Sequence, residues 1–388
     1  MKIVIAPDSF KGSLTSLRAA QVIKKGLSRA LPGANYLLLP ISDGGEGLVE
    51  ILFSSLGGRR IWCGVSGPLG RPVRASFLIL PDTALTSKGS QKTAVIEMAQ
   101  ASGLYLLKPS ERNPLLTSTY GTGQLIADAL KSGIRRVIVG VGGSATVDGG
   151  MGMARALGVR FLDKSGAEII EGGGGLGRLD RIDSSGLNPA VRKTEIIVAS
   201  DVNNPLVGKE GAANIFGPQK GATPDQVKIL DRNLVSFARI IRRDLGKEVS
   251  FLPGAGAAGG LGAGLCAFLD AEIKSGIDLV LGLLNFSPKA KDADLIVTGE
   301  GRIDGQVKFG KVLFGLGKTA QKLKIPLVAF CGSYSQDAFN LHDSGITAFF
   351  SILPGPCRLP EAMEKGEEFL LSASTEVGFL LRGCYSRM

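Results

Sequence analysis

The chain has 388 residues, 44% of them hydrophobic and 21% charged, with a formal net charge of +10. This composition excludes a disordered chain, and the length exceeds one ordinary core, so two domains are expected. The basic residues come as separated pairs, Lys24-Lys25, Arg59-Arg60, Arg135-Arg136 and Arg242-Arg243; they read as solvated faces that steer small anions, with no nucleic-acid surface.

Residues 2–6 form an apolar strand that opens on Asp8 and Lys11. Leu17, Ala20, Ile23, Leu27 and Leu31 then recur at helical spacing, with Thr15 or Ser16 as cap and Pro32-Gly33 as stop. Residues 36–40 make the next strand and deliver Asp43-Gly44-Gly45-Glu46-Gly47. This β-α-β alternation implies a parallel sheet. Residues 59–115 mix short β-like runs, 73–80 and 93–97, with turns. A helix beginning after Thr122 closes at Leu130-Lys131-Ser132-Gly133. Thr223-Pro224-Asp225 is an N-cap, N1 proline and acidic first turn, and opens a long helix. The β-α rhythm returns with strands at 294–298, 327–331 and 347–352, a helix at 311–323 and a final helix at about 360–380. The expected fold is therefore α/β with two domains. Residues 1–58 and 289–388 build a doubly wound, Rossmann/flavodoxin-like parallel sheet, into which a second α/β domain, 59–288, is inserted.

Glycine, at 55 residues, is about twice its usual share. The densest cluster follows the apolar run at 137–141 and reads Gly142-Gly143-Ser144-Ala145-Thr146-Val147-Asp148-Gly149-Gly150. A glycine-rich turn from strand to helix points backbone amides at one spot and adds the positive end of a helix dipole, the makings of a phosphate cradle. Ser144, Thr146 and Asp148 add groups for a phosphate or a metal-bound water. A ligand-free tight connection is the plain alternative.

Ligands of open parallel sheets collect beyond the carboxyl ends of the strands. Asp8, Asp43, Asp201, Glu300 and Ser333 all fall there on this map. Acids in such places call for cations or metal. Set beside anion-cradling glycines, they suit phosphoryl transfer. Magnesium bridges phosphates through one or two carboxylates, another carboxylate takes the acceptor's proton, and Lys11, Lys209, Lys220 and Arg302 neutralise the moving phosphoryl group.

Other features exclude alternatives. Five cysteines without CxxC spacing support neither a zinc site nor a disulfide framework, and fit a reducing, cytoplasmic setting. The single histidine, His342, argues against His-cluster metal sites and a serine–histidine triad, and is expected on a helix surface. No targeting segment is read at the N-terminus. Residues 249–269 carry no charge but hold a proline and many glycines; they are expected to form a buried loop and helix, not a membrane span. Gly317-Lys318-Thr319 lacks the first Walker A glycine, since position 312 is Val312, and it lies in a helix. Gly254-Ala-Gly256-Ala-Ala-Gly259 matches GxGxxG, but no strong strand precedes it and Asp270 and Glu272 come too soon for a ribose contact.

Several long segments together resemble the bacterial glycerate kinase family. They are Ala6-Pro-Asp-Ser-Phe-Lys-Gly-Ser13, Asp43-Gly-Gly-Glu-Gly47, the run 140–150, Ser200-Asp-Val-Asn-Asn-Pro205, Phe216-Gly-Pro-Gln-Lys-Gly221, Pro253 to Gly260, and Thr298-Gly-Glu-Gly-Arg-Ile-Asp304. The resemblance runs in order from Lys2 to about Leu380. It implies ATP-dependent phosphorylation of D-glycerate with Mg2+ in a cleft between two α/β domains, with the 2-position favoured and the 3-position open. On that reading Ser9, Lys11, Ser13 and Glu46 bind substrate, and Asp43, Asp8, Lys11 and Arg302 act in catalysis. Gly142, Gly143, Ser144, Ala145 and Thr146, with Gly259 and Gly260, bind nucleotide, and Asp201 and Glu300 hold the metal. The chain departs from the family at Gln306-Val307 and Lys311-Val312-Leu313, which leaves the role of 306–313 open.

Two other readings compete. One is an NAD-dependent hydroxyacid dehydrogenase using the 254–259 glycines; the other is a non-catalytic anion-binding protein. The expected partner is a small molecule, not a membrane or nucleic acid, and a homo-oligomer is left open.

Overall fold

The computed structural model describes residues 1–81, 91–303 and 312–385. It divides into two compact units, one of residues 1–43, 50–55 and 277–388, the other of residues 44–49 and 56–276. In chain order the strands among the described residues begin with β1 (Lys2–Ile5), β2 (Asn35–Leu38), β3 (Arg59–Ser66), β4 (Pro72–Ile79), β5 (Thr93–Glu97) and β6 (Arg136–Gly140). They continue with β7 (Arg160–Leu162), β8 (Arg181–Asp183), β9 (Glu195–Ala199), β10 (Glu272–Lys274), β11 (Leu295–Ile303), β12 (Leu327–Tyr334) and β13 (Ala348–Ser351).

The first unit carries a five-stranded sheet, β13-β12-β11-β1-β2, in which every neighbouring pair is parallel. Counted within the unit alone, the order is 2-1-3-4-5, the flavodoxin-like arrangement. Ile3, Val4 and Ile5 are fully buried, as expected of a strand covered on both faces. The helix Ser16–Ala30 starts where the Thr15 hydroxyl accepts a hydrogen bond from the Arg18 amide at 3.2 Å. It packs on the helix Gly366–Tyr385 at Gly26, where a Cβ would lie 1.9 Å from the Ser374 hydroxyl oxygen, so only glycine admits the approach.

Two sequence expectations change here. The expected strand at 294–298 continues to Ile303, because β12 offers paired backbone all along: Glu300 is in register with Cys331 and Arg302 with Ser333. Glu300 and Arg302 therefore stand on the strand and not in a loop beyond it. The expected final helix is two helices, Leu359–Glu364 and Gly366–Tyr385. At the junction a Cβ on Gly366 would come within 2.2 Å of the Ser13 hydroxyl.

The second unit has a six-stranded sheet, β10-β9-β6-β5-β4-β3. Strands β5, β6, β9 and β10 are parallel, whereas β3 and β4 form an antiparallel extension. Strands β7 and β8 pair apart from it. The helix Pro224–Leu245 opens with a full capping box between Thr223 and Gln226 and closes on Gly246 at φ 69°. Its Phe237 meets Phe161 and Phe268 in the core. The helix Ala257–Leu269 is buried as expected, but it enters through left-handed backbone at Ala258, Gly259 and Gly260.

Candidate active site

In a 2-1-3-4-5 sheet the chain leaves β1 toward one side and returns on the other as β11. The loops beyond those two strands diverge, and a crevice opens there. The first unit has a cavity of about 590 Å³ at this place. Asp8, Ser9, Phe10, Lys11 and Ser13 reach it from the loop after β1, Asp43 from beyond β2, and Glu300 and Arg302 from β11. The first unit thus gathers seven site residues expected from the sequence, Asp8, Ser9, Lys11, Ser13, Asp43, Glu300 and Arg302, in one cavity.

Asp8 is strongly perturbed there. The residue is 9% exposed, and burial, followed by the negative charge of Asp43, raises its carboxyl from 3.8 to about 7. The Ser9 amide, which donates to Asp8 Oδ1 at 2.6 Å, and the Lys11 charge only partly offset this. A carboxylate balanced near neutrality can take a hydroxyl proton and give it up again. Lys11 and Arg302 are exposed cations on the same cavity, suited to an anion. The Ser13 hydroxyl instead donates to the Met363 carbonyl oxygen at 2.7 Å, tying the loop to the helix Leu359–Glu364.

The glycine-rich loop lies in the second unit, and much of it faces protein. Asp148 is fully buried and accepts from the amides of Thr119, Gly150 and Gly152 and from the Thr119 hydroxyl. The donors at the start of the helix Met151–Ala156 are thus held by the chain's own carboxylate, contrary to the expectation that Asp148 meets a ligand. Burial raises the Asp148 carboxyl, against those hydrogen bonds. Lys220 is 1% exposed and donates to the Thr146 carbonyl oxygen at 2.7 Å. Burial pushes its ammonium down to about 7, only partly countered by Asp148. It supports the loop from within and does not face solvent-borne phosphate. Gly142 and Gly143 form the open tip, with Ser144 8% exposed and Ala145 and Thr146 buried behind. Gly259 packs where a Cβ would stand 1.9 Å from the Thr146 carbonyl oxygen, and Gly260 where one would meet Gly149. The GxGxxG glycines therefore have a packing role. Glu46 is exposed, and its carboxylate lies near Gly143. Asp201 Oδ1 accepts from the Ser275 hydroxyl at 3.0 Å and from the Gly276 amide at 2.9 Å.

A family model described as "Glycerate kinase family" matches residues 3–382. The chain belongs to the glycerate kinase family. It is 51% identical to "Glycerate kinase" of Halalkalibacterium halodurans over 97% of both chains, and 47% identical to "Glycerate 2-kinase" of Escherichia coli over 98% of both. A crystal structure of a putative glycerate kinase 2 from Salmonella typhimurium LT2 superposes with a TM-score of 0.84 at 44% identity, covering 100% of this chain and 99% of that one. Membership makes the chain a phosphotransferase with an alcohol group as acceptor, and a kinase takes its phosphoryl group from a donor such as ATP. The mixed α/β fold with parallel sheets is the expected class.

Family membership removes the dehydrogenase and binding-protein readings. No helix of the described residues is long and apolar enough to cross a membrane. Asp304, Gln306 and Lys311 lie outside the described residues, so the 306–313 segment is described only from Val312. His342 is exposed on a 3-10 helix, with Nδ1 at 2.9 Å from the Ile346 carbonyl oxygen and its ring stacked on Phe349.

For Mg2+ the donor chemistry fits. Carboxylates are the hard oxygen ligands it prefers, one or two suffice when phosphates complete the shell, and Asp8, Asp43 and Glu300 share one cavity. Among the described residues no group of three or more His, Cys, Asp or Glu gathers as a closed metal cage.

The sequence reading missed the far wall of the cavity, Ile352, Leu353, Cys357, Leu359 and Met363. The strand ending at Ser351 followed by Leu353-Pro354-Gly355-Pro356 is a strand-end loop of the kind that lines sites. It could have been read as such.

Proposed function

We propose that the protein phosphorylates D-glycerate on its 2-hydroxyl, using ATP with Mg2+, in the cytoplasm. The observation that carries this reading is the charged end of the cavity, where Asp8, lifted to about 7 beside Asp43, faces the cations Lys11 and Arg302. Lys11, with Ser9, holds the carboxylate of the acid, and Ser13 and Glu46 complete the binding residues, Ser13 by fixing the loop to Met363. Asp8 accepts the hydroxyl proton, and Asp43 keeps that carboxyl basic enough to do so. Arg302 and Lys11 stabilise the charge on the moving phosphoryl group, where fixed cations are most effective. The tip of the loop Gly142 to Thr146, backed by Gly259 and Gly260, receives the nucleotide's phosphates. Glu300, in the same cavity, is the carboxylate that would hold Mg2+, which when bound neutralises phosphate charge. The similarity to the "Glycerate 2-kinase" of Escherichia coli favours the 2-position. The domain division we propose keeps 1–58 with 289–388 and treats 59–288 as the insertion.

The test is ADP release from ATP and Mg2+ with and without D-glycerate. Release that depends on D-glycerate is expected. ATP turnover indifferent to the acid would overturn the assignment.

A further inference from the structure

The cavity in the first unit is larger and more apolar than a three-carbon acid requires. At about 590 Å³ it falls in the range that holds drug-sized ligands, roughly 300–1,000 Å³. Its polarity is graded by the sheet order. Asp43, Asp8 and Lys11 follow β2 and β1, and Glu300 and Arg302 lie on β11, so the charged groups sit on one side of the sheet. The loop after β13 contributes Ile352 and Leu353, and the helix Leu359–Glu364 that follows adds Leu359 and Met363, the latter packed on the Gly12–Ser13 loop after β1. Phe10 lines the cavity too, its ring packed over Gly299.

Leu359 lines this wall while remaining 72% exposed. An exposed leucine alone means little, but one set on the wall of a concave apolar surface marks area that a ligand can cover. A flat apolar ring system linked to a polyanion matches both ends of the cavity. The acid substrate, polar at every carbon, matches only the charged end.

We propose that the apolar side of this cavity, formed by Ile352, Leu353, Leu359 and Met363, seats the purine nucleoside of the phosphoryl donor. The inference rests on the kinase reading and extends it by placing the base on the wall that follows β13, with the phosphates toward the switch point between β1 and β11. The nucleoside's phosphate-bearing end then points to Arg302 and Lys11, and D-glycerate needs only the part of the cavity beside Asp8.

Cys357 lines the same wall, is half-buried and has a free thiol, so it reports occupancy without mutation. The unmodified protein is alkylated with N-ethylmaleimide, and the Cys357 peptide is quantified by mass spectrometry, with exposed Cys384 as internal reference. Saturating ADP is expected to slow Cys357 labelling about tenfold or more and D-glycerate less than about twofold, with Cys384 unaffected. The variant Leu359→Asp, at a position exposed enough to fold, is expected to raise KM for ATP about tenfold and leave KM for D-glycerate within about twofold. Unchanged Cys357 labelling under ADP, in a preparation that still shows glycerate-dependent ADP release, would overturn this placement and leave the kinase reading intact. Protection by D-glycerate alone, with only its KM raised in Leu359→Asp, would assign the wall to the acid and also overturn it. Absence of glycerate-dependent turnover in the unmodified protein would instead overturn the kinase reading.

Discussion

Replacing Asp8 by Asn tests the reaction chemistry and the electrostatics together. Burial and the Asp43 charge lift the Asp8 carboxyl from 3.8 to about 7, a shift of about three units or roughly 4 kcal/mol. Because the folded protein holds this proton more tightly than the unfolded chain, the group's contribution to stability is fully present below about pH 4. It is lost as pH rises through 7. At pH 8 the ionised side chain is therefore a liability that asparagine removes without changing shape. Asp8→Asn should melt higher than the parent at pH 8, by several degrees, and equally or lower at pH 4. The same change removes the proton acceptor, so kcat should fall by about 10²–10⁴-fold. Asp43→Asn should move the acid limb of kcat/KM down from near pH 7 by on the order of one to two units, because a like charge no longer raises Asp8. Coupled ADP-release kinetics across the pH range and thermal melts at both pH values give the readouts. An Asp8→Asn enzyme with parental kcat, or an Asp43→Asn profile whose acid limb stays near 7, would refute the reasoning.

Lys11→Met should lower kcat/KM roughly 10- to 100-fold, the cost of about 1.5–3 kcal/mol for a lost charged hydrogen bond, while circular dichroism stays unchanged. Gly259→Ala places a methyl group 1.9 Å from the Thr146 carbonyl oxygen at φ 69°, so a loss of about 3 kcal/mol or more is expected in urea denaturation. Lys220, lowered from 10.5 to about 7, binds fewer protons folded than unfolded between those values, so its penalty fades as pH rises through that window. The urea midpoint of the parent should therefore gain on that of Lys220→Met from pH 7 to pH 10; a constant difference would contradict the burial argument. Chelation of divalent cations should abolish turnover, with recovery on adding Mg2+ and no change in the melting temperature, since one or two carboxylates do not make a folding site.

What the sequence makes legible is local chemistry. The cap at Thr15 or Ser16, the cap at Thr223, the strand at the N-terminus and the short β runs 73–80 and 93–97 follow from residues within a few positions of each other, and the structure has them nearly in place, with Thr15 as the cap. Asp8, Asp43 and Glu300 could be singled out because acids at strand ends are costly in isolation. Their meeting in one cavity depends on the order β11-β1-β2, which is a long-range fact. The misreadings have the same origin. Asp148 looks like a ligand group from its glycine-rich surroundings, yet Thr119, far away in sequence, claims it together with the helix amides. Lys220 looks like a surface cation until the loop at Thr146 folds over it. The glycines at 254–260 look like a dinucleotide fingerprint because close backbone packing and close ligand approach impose the same demand, a missing Cβ. The apolar wall from 352 to 363 carries no chemical signature in one dimension, since its meaning comes from facing the charged strand ends.

The phosphorus NMR spectrum of the product formed from ATP, Mg2+ and D-glycerate tests the central assignment most directly. A new phosphate-monoester signal coupled to the single proton on C2, equal in amount to the ADP released, is the predicted result. A signal coupled to the two C3 protons would contradict the 2-position, and ADP accompanied only by inorganic phosphate would contradict the transfer itself.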